Sequence, residues 1–129
     1  MIKNGVLNPQ ILSLIARVRH TNTLVIADRG FPFWPAIETV DISLVDGVPT
    51  VLQVFEALKP NFVIGQVYMA EEFLRENTTE TQRSFADSRG GIPIHYELHE
   101  RFKLRVPHAI GLIRTGDTIQ YANMILVSA

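Results

Sequence analysis

Apolar residues at Ile11, Leu12, Leu14, Ile15 and Val18 recur at the spacing that lines one face of a helix. Asn8 supplies an N-cap, and Pro9 is a first helical residue whose missing N–H costs nothing, so the pattern predicts a helix over 9–19. The next run, residues 23–28, is continuous instead of periodic and breaks at Arg29, Gly30 and Pro32, as a strand buried on both faces does. A long loop carrying Phe31, Phe33 and Trp34 leads to a short strand over 39–43 and a turn over 45–49. Residues 50–58 read as a helix through Val51, Leu52, Val54, Phe55 and Leu58, stopped by Lys59, Pro60 and Asn61. Residues 62–70 form the third strand candidate. In the polar stretch that follows, Thr79 and Gln82 have capping-box spacing and Gly90 with Gly91 ends the helix. Residues 92–98 alternate as a strand, 99–105 as one or two helical turns and 108–114 as a strand again. A turn from Arg114 to Asp117 precedes a last strand over 120–129 of mixed-face character. This order of strands and helices predicts one domain over 1–129: an α/β fold, a three-layer α/β/α sandwich with a mainly parallel, mixed central sheet.

Composition narrows the function. The chain has 129 residues, enough for one core without staples. Lys and Arg number 12 against 13 Asp and Glu, a formal charge of −1, which speaks against nucleic acid as a partner. Cysteine is absent, which rules out disulfides and thiolate metal sites and agrees with a cytoplasmic setting. The N-terminus meets Asn4 and Gly5 too early for a signal peptide, and no apolar run reaches the roughly 18 residues of a membrane span, so no membrane partner is expected.

In α/β sheets ligands bind beyond the carboxyl ends of the strands. Asp28, Ala70 with Glu71, and His99 all stand just past a predicted strand. No dinucleotide fingerprint, P-loop or nucleophile elbow occurs. His95 and His99 are spaced for chelation only if a helix includes both; along a strand they stand about 13 Å apart, and ordinary surface histidines are the simpler reading. His20 at the end of the first helix fits a carbonyl cap, and Asp28 at a strand-to-loop junction fits a turn cap. The two sit at opposite ends of adjoining elements, about 10–15 Å apart by simple packing, so they meet only if the helix start lies above the strand's carboxyl edge or a second subunit brings them together. Tyr121 and Asn123 share one face of the predicted last strand, with Ala122 and Met124 on the other, a polar pairing that suits strand-edge solvation, a polyhydroxyl ligand or a neighbouring subunit. Phe33 and Trp34 suit capping of the core or an interface, and Arg114 a charge beside the turn.

Residues 4–8 (NGVLN), His20 with Thr21, residues 25–28 (VIAD) with Gly30 and Pro32, residues 47–49 (GVP), 70–72 (AEE), 99–102 (HERF), 114–116 (RTG) and 121–123 (YAN) with Ile125 and Leu126 stand in one order along nearly the whole chain. Together they resemble the D-ribose pyranase and L-fucose mutarotase family, and the RTG and YAN ending resembles the ribose pyranase branch. The resemblance implies a cofactor-free isomerase that interconverts pyranose and furanose forms, or anomers, of a free aldose. It implies His20 as the catalytic proton donor, Asp28, His99 and Tyr121, Ala122 and Asn123 as sugar-binding positions, and no metal. It further implies a ring-shaped homodecamer with sites at subunit contacts, the Tyr121–Asn123 segment reaching a neighbour's pocket.

The residue types suit that chemistry. Opening a cyclic hemiacetal removes the anomeric hydroxyl proton and protonates the ring oxygen, and a group titrating near pH 6.5 does both. A sugar already mutarotates in water, so a positioned acid/base worth roughly 10²–10⁴-fold suffices. Arg19 replaces a glycine usual in the resembled family, Arg29 a small residue, and Gln120 a proline; residues 31–35 are bulkier than usual. These departures bear on which sugar is taken. They also keep two alternatives in view: a mutarotase for L-fucose or another aldose, and a non-catalytic sugar-binding component of an uptake system.

Overall fold

The computed structural model describes residues 1–129. Its elements are α1 (Pro9–Ala16), β1 (Thr23–Ala27), β2 (Glu38–Asp41), α2 (Val51–Leu58), β3 (Ile64–Ala70), α3 (Glu72–Glu76), α4 (Thr79–Arg89), β4 (Ile94–Glu97), α5 (His99–Arg105), β5 (Gly111–Arg114) and β6 (Met124–Ser128). Single 3₁₀ turns follow α2 and α5. No helix is long and apolar enough to cross a membrane.

The six strands form one sheet in the order β2-β5-β1-β6-β3-β4. β1 and β2 pair parallel to β5, and β3 to β4, while β6 runs antiparallel to both β1 and β3. Every strand except β6 therefore points its carboxyl end to one edge, and β6 starts from that edge. This topology brings residues 120–123 beside the ends of β1 and β3.

Burial follows the strand alternation, as the continuous apolar runs require. Leu24, Ile26, Val67, Met69, Ile113, Met124 and Leu126 face α1, α2 and α4 through Leu14, Phe55, Leu58 and Phe85. Val25, Ala27, Leu112 and Ile125 face the other way, onto Phe102, Val106 and Ala109 of α5 and its following turn. The result is the expected three-layer sandwich. Two glycines permit close approaches: a Cβ on Gly111 would lie 2.5 Å from Leu14 Cδ1 on α1, and one on Gly116 would lie 2.3 Å from the Val45 carbonyl oxygen.

Three local expectations are corrected. The first helix ends at Ala16, not 19, because Arg17 and Val18 turn their N–H groups to the carbonyls of Leu14 and Ile15 and tighten the chain. The cap of α4 is Thr78, whose hydroxyl accepts from Thr81 N at 3.1 Å; Gln82 closes no capping box and instead donates to the Leu74 and Asn77 carbonyls. The last strand begins at Met124, not 120, since Tyr121 has a φ of 57°, which no extended strand accommodates. Tyr121 and Asn123 thus do not share a strand face.

Candidate active site

At the carboxyl edge of the sheet a pocket of about 310 Å³ opens between the end of β1, the start of α5 and the segment before β6. Asp28, Phe31, His99, Gln120, Tyr121 and Asn123 are among its walls. Asp28 follows the last residue of β1. Its backbone N–H donates to Asn123 Oδ1 at 2.7 Å, tying β1 to the entry of β6, and its carboxylate accepts from Gly30 N at 2.9 Å. Burial pushes the Asp28 carboxyl above its ordinary pKa; the Gly30 N–H and Asn123 oppose that shift, and the charge of Asp117 adds to it. Asp28 is therefore a turn cap, as its position suggests, and also a wall of the pocket. Arg29 does not pair with it: the guanidinium donates to Asp46 at 3.0 Å.

His99 is the first residue of α5, half-buried, and its ring is boxed by aromatic neighbours. The Phe31 and Tyr121 rings stand edge-on with centroids at 6.2 and 5.1 Å, and Phe102 stacks at 6.0 Å. Burial lowers the imidazole pKa and Lys103 lowers it further, against Glu72, Glu100 and Asp28. A neutral imidazole at pH 7 has a lone pair for a sugar hydroxyl. His95 is elsewhere, exposed on β4 with its ring 5.4 Å from that of Tyr68, so the two histidines do not form a chelating pair.

Asn123 is 3 % exposed and lines the pocket, whereas Ala122 is fully buried in the core and is not one of the lining residues. Tyr121 and Asn123 line the same pocket as their own chain's Asp28 and His99. His20 is the residue that stands apart. It is exposed in the turn before β1, beside Thr21 with its φ of 68°, and it caps no carbonyl: Arg19 Nη1 takes that role at Ala16 and Val18. The five residues of β1 put about 16 Å between that turn and the pocket.

Sequence reading missed the residues that hold the pocket loop. Arg114, at the end of β5 and shielded from water, donates to the Phe31 carbonyl and lies 3.5 Å from the Asp41 carboxylate. Asp117, 2 % exposed, accepts from Val51 N and Ile119 N, each at 2.8 Å, and its own carbonyl accepts from Arg29 N. The signal was an acidic residue directly after Arg-Thr-Gly, two before the Ile119 N–H it binds, but its partner Val51 lies far away in sequence. A larger hollow of about 520 Å³ near Lys59–Ile64 offers little chemistry: its amine is engaged by the Ser88 carbonyl and Glu56. Phe33 is exposed, while Trp34 packs on the α5 face of the core beside Phe31.

Comparison with known proteins places this geometry in context. The D-ribose pyranases of Geobacillus kaustophilus and Corynebacterium glutamicum strain R are each 38% identical over 128 residues, covering 99% of this chain and 93% and 97% of theirs. The structure of Bacillus subtilis RbsD complexed with D-ribose superposes with a TM-score of 0.93 at 32% identity, over 100% of this chain and 98% of that one. A fucose mutarotase from Streptococcus pneumoniae in complex with L-fucose shares the fold at a TM-score of 0.73 and 20% identity, over 95% and 92% of the two chains. The profile of the RbsD / FucU transport protein family spans residues 1–129, and the chain belongs to that family.

Proposed function

We propose that this protein is a D-ribose pyranase, interconverting the pyranose and furanose forms of free ribose by general acid/base catalysis in the pocket between Asp28, His99, Tyr121 and Asn123. The observation that carries the reading is the convergence of these four residues, from three separate stretches of a chain 38% identical to D-ribose pyranases, on one polar pocket. In the reaction a base takes the proton of the anomeric hydroxyl, the carbonyl forms at C1, and the C1–O5 bond breaks as O5 is protonated. Reclosure reverses each step, with the C4 hydroxyl attacking C1 and the carbonyl oxygen regaining a proton.

Asp28 and Asn123 hold hydroxyls of the sugar, and Tyr121 closes one side of the site. His99, kept neutral by burial, accepts a hydroxyl proton or hydrogen bond. His20 is the proton donor. Because it lies a strand's length from its own pocket, a neighbouring subunit supplies it, in a homodecameric ring with a site at each contact. The enzyme works without a cofactor, and in the cytoplasm, where free ribose is consumed.

The test compares wild type with His20→Ala. The variant is expected to bind D-ribose while losing acceleration of ring-form exchange. Unchanged exchange would remove His20 from the mechanism. Mixing His20→Ala with Asp28→Ala subunits is expected to restore exchange, since some contacts then unite one intact His20 with one intact pocket.

A further inference from the structure

We infer that Glu72 is a positioning residue of the sugar site, its carboxylate reaching from the end of β3 to hold the first N–H of α5 and so fix His99 on the pocket wall. The inference rests on the reading of His99 as a sugar-binding residue. A helix needs acceptors for its first N–H groups, and the residue before the helix usually provides one. Before α5 that residue is Leu98, which has no acceptor, and no side chain of its own caps the helix. Glu72 takes over from a different part of the chain: both of its carboxylate oxygens lie within hydrogen-bond distance of His99 N, at 3.0 and 3.1 Å.

The topology makes this reach possible. β3 and β4 are parallel neighbours, with Ala70 opposite Glu97, and Glu71 N donates to the Glu97 carbonyl at 2.8 Å. The chain after β3 is thereby held beside the chain after β4, so the second residue past one strand meets the second residue past the other. The aromatic box of Phe31, Phe102 and Tyr121 restricts the tilt of the His99 ring, and the Glu72 contact holds the backbone N–H of the residue from which that ring projects.

The carboxylate also faces the imidazole electrostatically. The charged groups around His99 are Lys103 and Glu100 on its own helix, Asp28 at the end of β1 and Glu72 on α3, with the Tyr121 phenol completing the wall. Glu72 comes first among the carboxylates that favour the protonated ring, against burial and Lys103. One side chain thus sets both the place of His99 and part of its proton affinity.

Two variants separate these effects. Glu72→Gln retains an acceptor oxygen and loses the charge; Glu72→Ala loses both. We expect Glu72→Ala to raise the KM for D-ribose about tenfold, the equivalent of one lost hydrogen bond to a charged acceptor, with Glu72→Gln closer to wild type. In both variants the His99 imidazole, followed by NMR, is expected to titrate at lower pH than in wild type. A Glu72→Ala protein that melts earlier but keeps the wild-type KM and the wild-type His99 titration would overturn the inference, leaving Glu72 as a helix cap alone. His99→Ala is the control: unchanged sugar exchange there would defeat the site reading, while the His99 titration in Glu72→Gln still decides whether Glu72 acts on the ring.

Discussion

Replacing Asp117 by alanine removes the acceptor on which the floor of the pocket loop is built. The carboxylate is 2 % exposed and binds Val51 N, the first N–H of α2, and Ile119 N, each at 2.8 Å. Each donor left buried and unpaired costs about 1–3 kcal/mol. Loss of a negative charge at the start of α2 adds about 0.3–1 kcal/mol. Water can reach the partly exposed Ile119 side, so the sum expected is about 3 kcal/mol. With a urea m-value of about 1.5 kcal/mol/M for a domain of this size, the unfolding midpoint falls by about 2 M, measured at fixed protein concentration. Asp117→Asn keeps one acceptor oxygen and should lose roughly half as much. Because the Asp117 charge holds the Asp28 pKa up, the Asp28 carboxyl should titrate at lower pH in Asp117→Asn. A midpoint within about 0.3 M of wild type for Asp117→Ala would refute the reasoning, since it would mean that neither N–H depends on the carboxylate.

Asp28→Asn should unfold at an equal or higher temperature than wild type near pH 7 while losing ribose binding. The raised carboxyl pKa means that the folded state holds its proton more tightly than the unfolded chain, so ionisation above that pKa penalises the fold, and asparagine removes the penalty yet still accepts from Gly30 N. His99 has the opposite sign: its lowered pKa means the unfolded chain binds the proton more readily, so its contribution to stability is present above about pH 6.5 and is lost as pH falls through the folded value. Unfolding free energies of wild type and His99→Gln at pH 5 and pH 8 should show a smaller acid loss in the variant. Arg114→Ala frees the Phe31 carbonyl and loosens one pocket wall, so KM for ribose should rise more than kcat falls; Arg114→Lys should not restore it, because a point charge lacks the fork that spans the loop and Asp41.

The strands β1 and β6 were legible because they are buried on both faces and read as continuous apolar runs, and α1 announced itself through Asn8 and Pro9. Element ends were less so. Capping-box spacing favours Thr79, with Gln82 three residues on, and only the bond to Thr81 N shows that Thr78 is the cap. Tyr121 looks like a strand residue by composition, yet its left-handed backbone turns it into the pocket edge, a choice made by tertiary contact. Among the site residues, Asp28 and His99 could be found as polar groups past strand ends. Glu72, Arg114 and Asp117 could not be assigned, because what each does depends on a backbone N–H or carbonyl contributed by another element. The proposed role of His20 rests on the family resemblance alone: nothing in a single subunit links an exposed turn before β1 to a pocket beyond its far end.

The account's central claim is that this pocket accelerates the exchange of ribose ring forms, and NMR saturation transfer between the pyranose and furanose signals of D-ribose tests it most directly. At catalytic protein concentration, with L-fucose as the parallel sample, transfer between the ribose signals should rise well above the protein-free rate and vanish in Asp28→Ala. Ribose signals that broaden on binding yet exchange no faster than in buffer would contradict the claim and leave a sugar-binding protein without turnover.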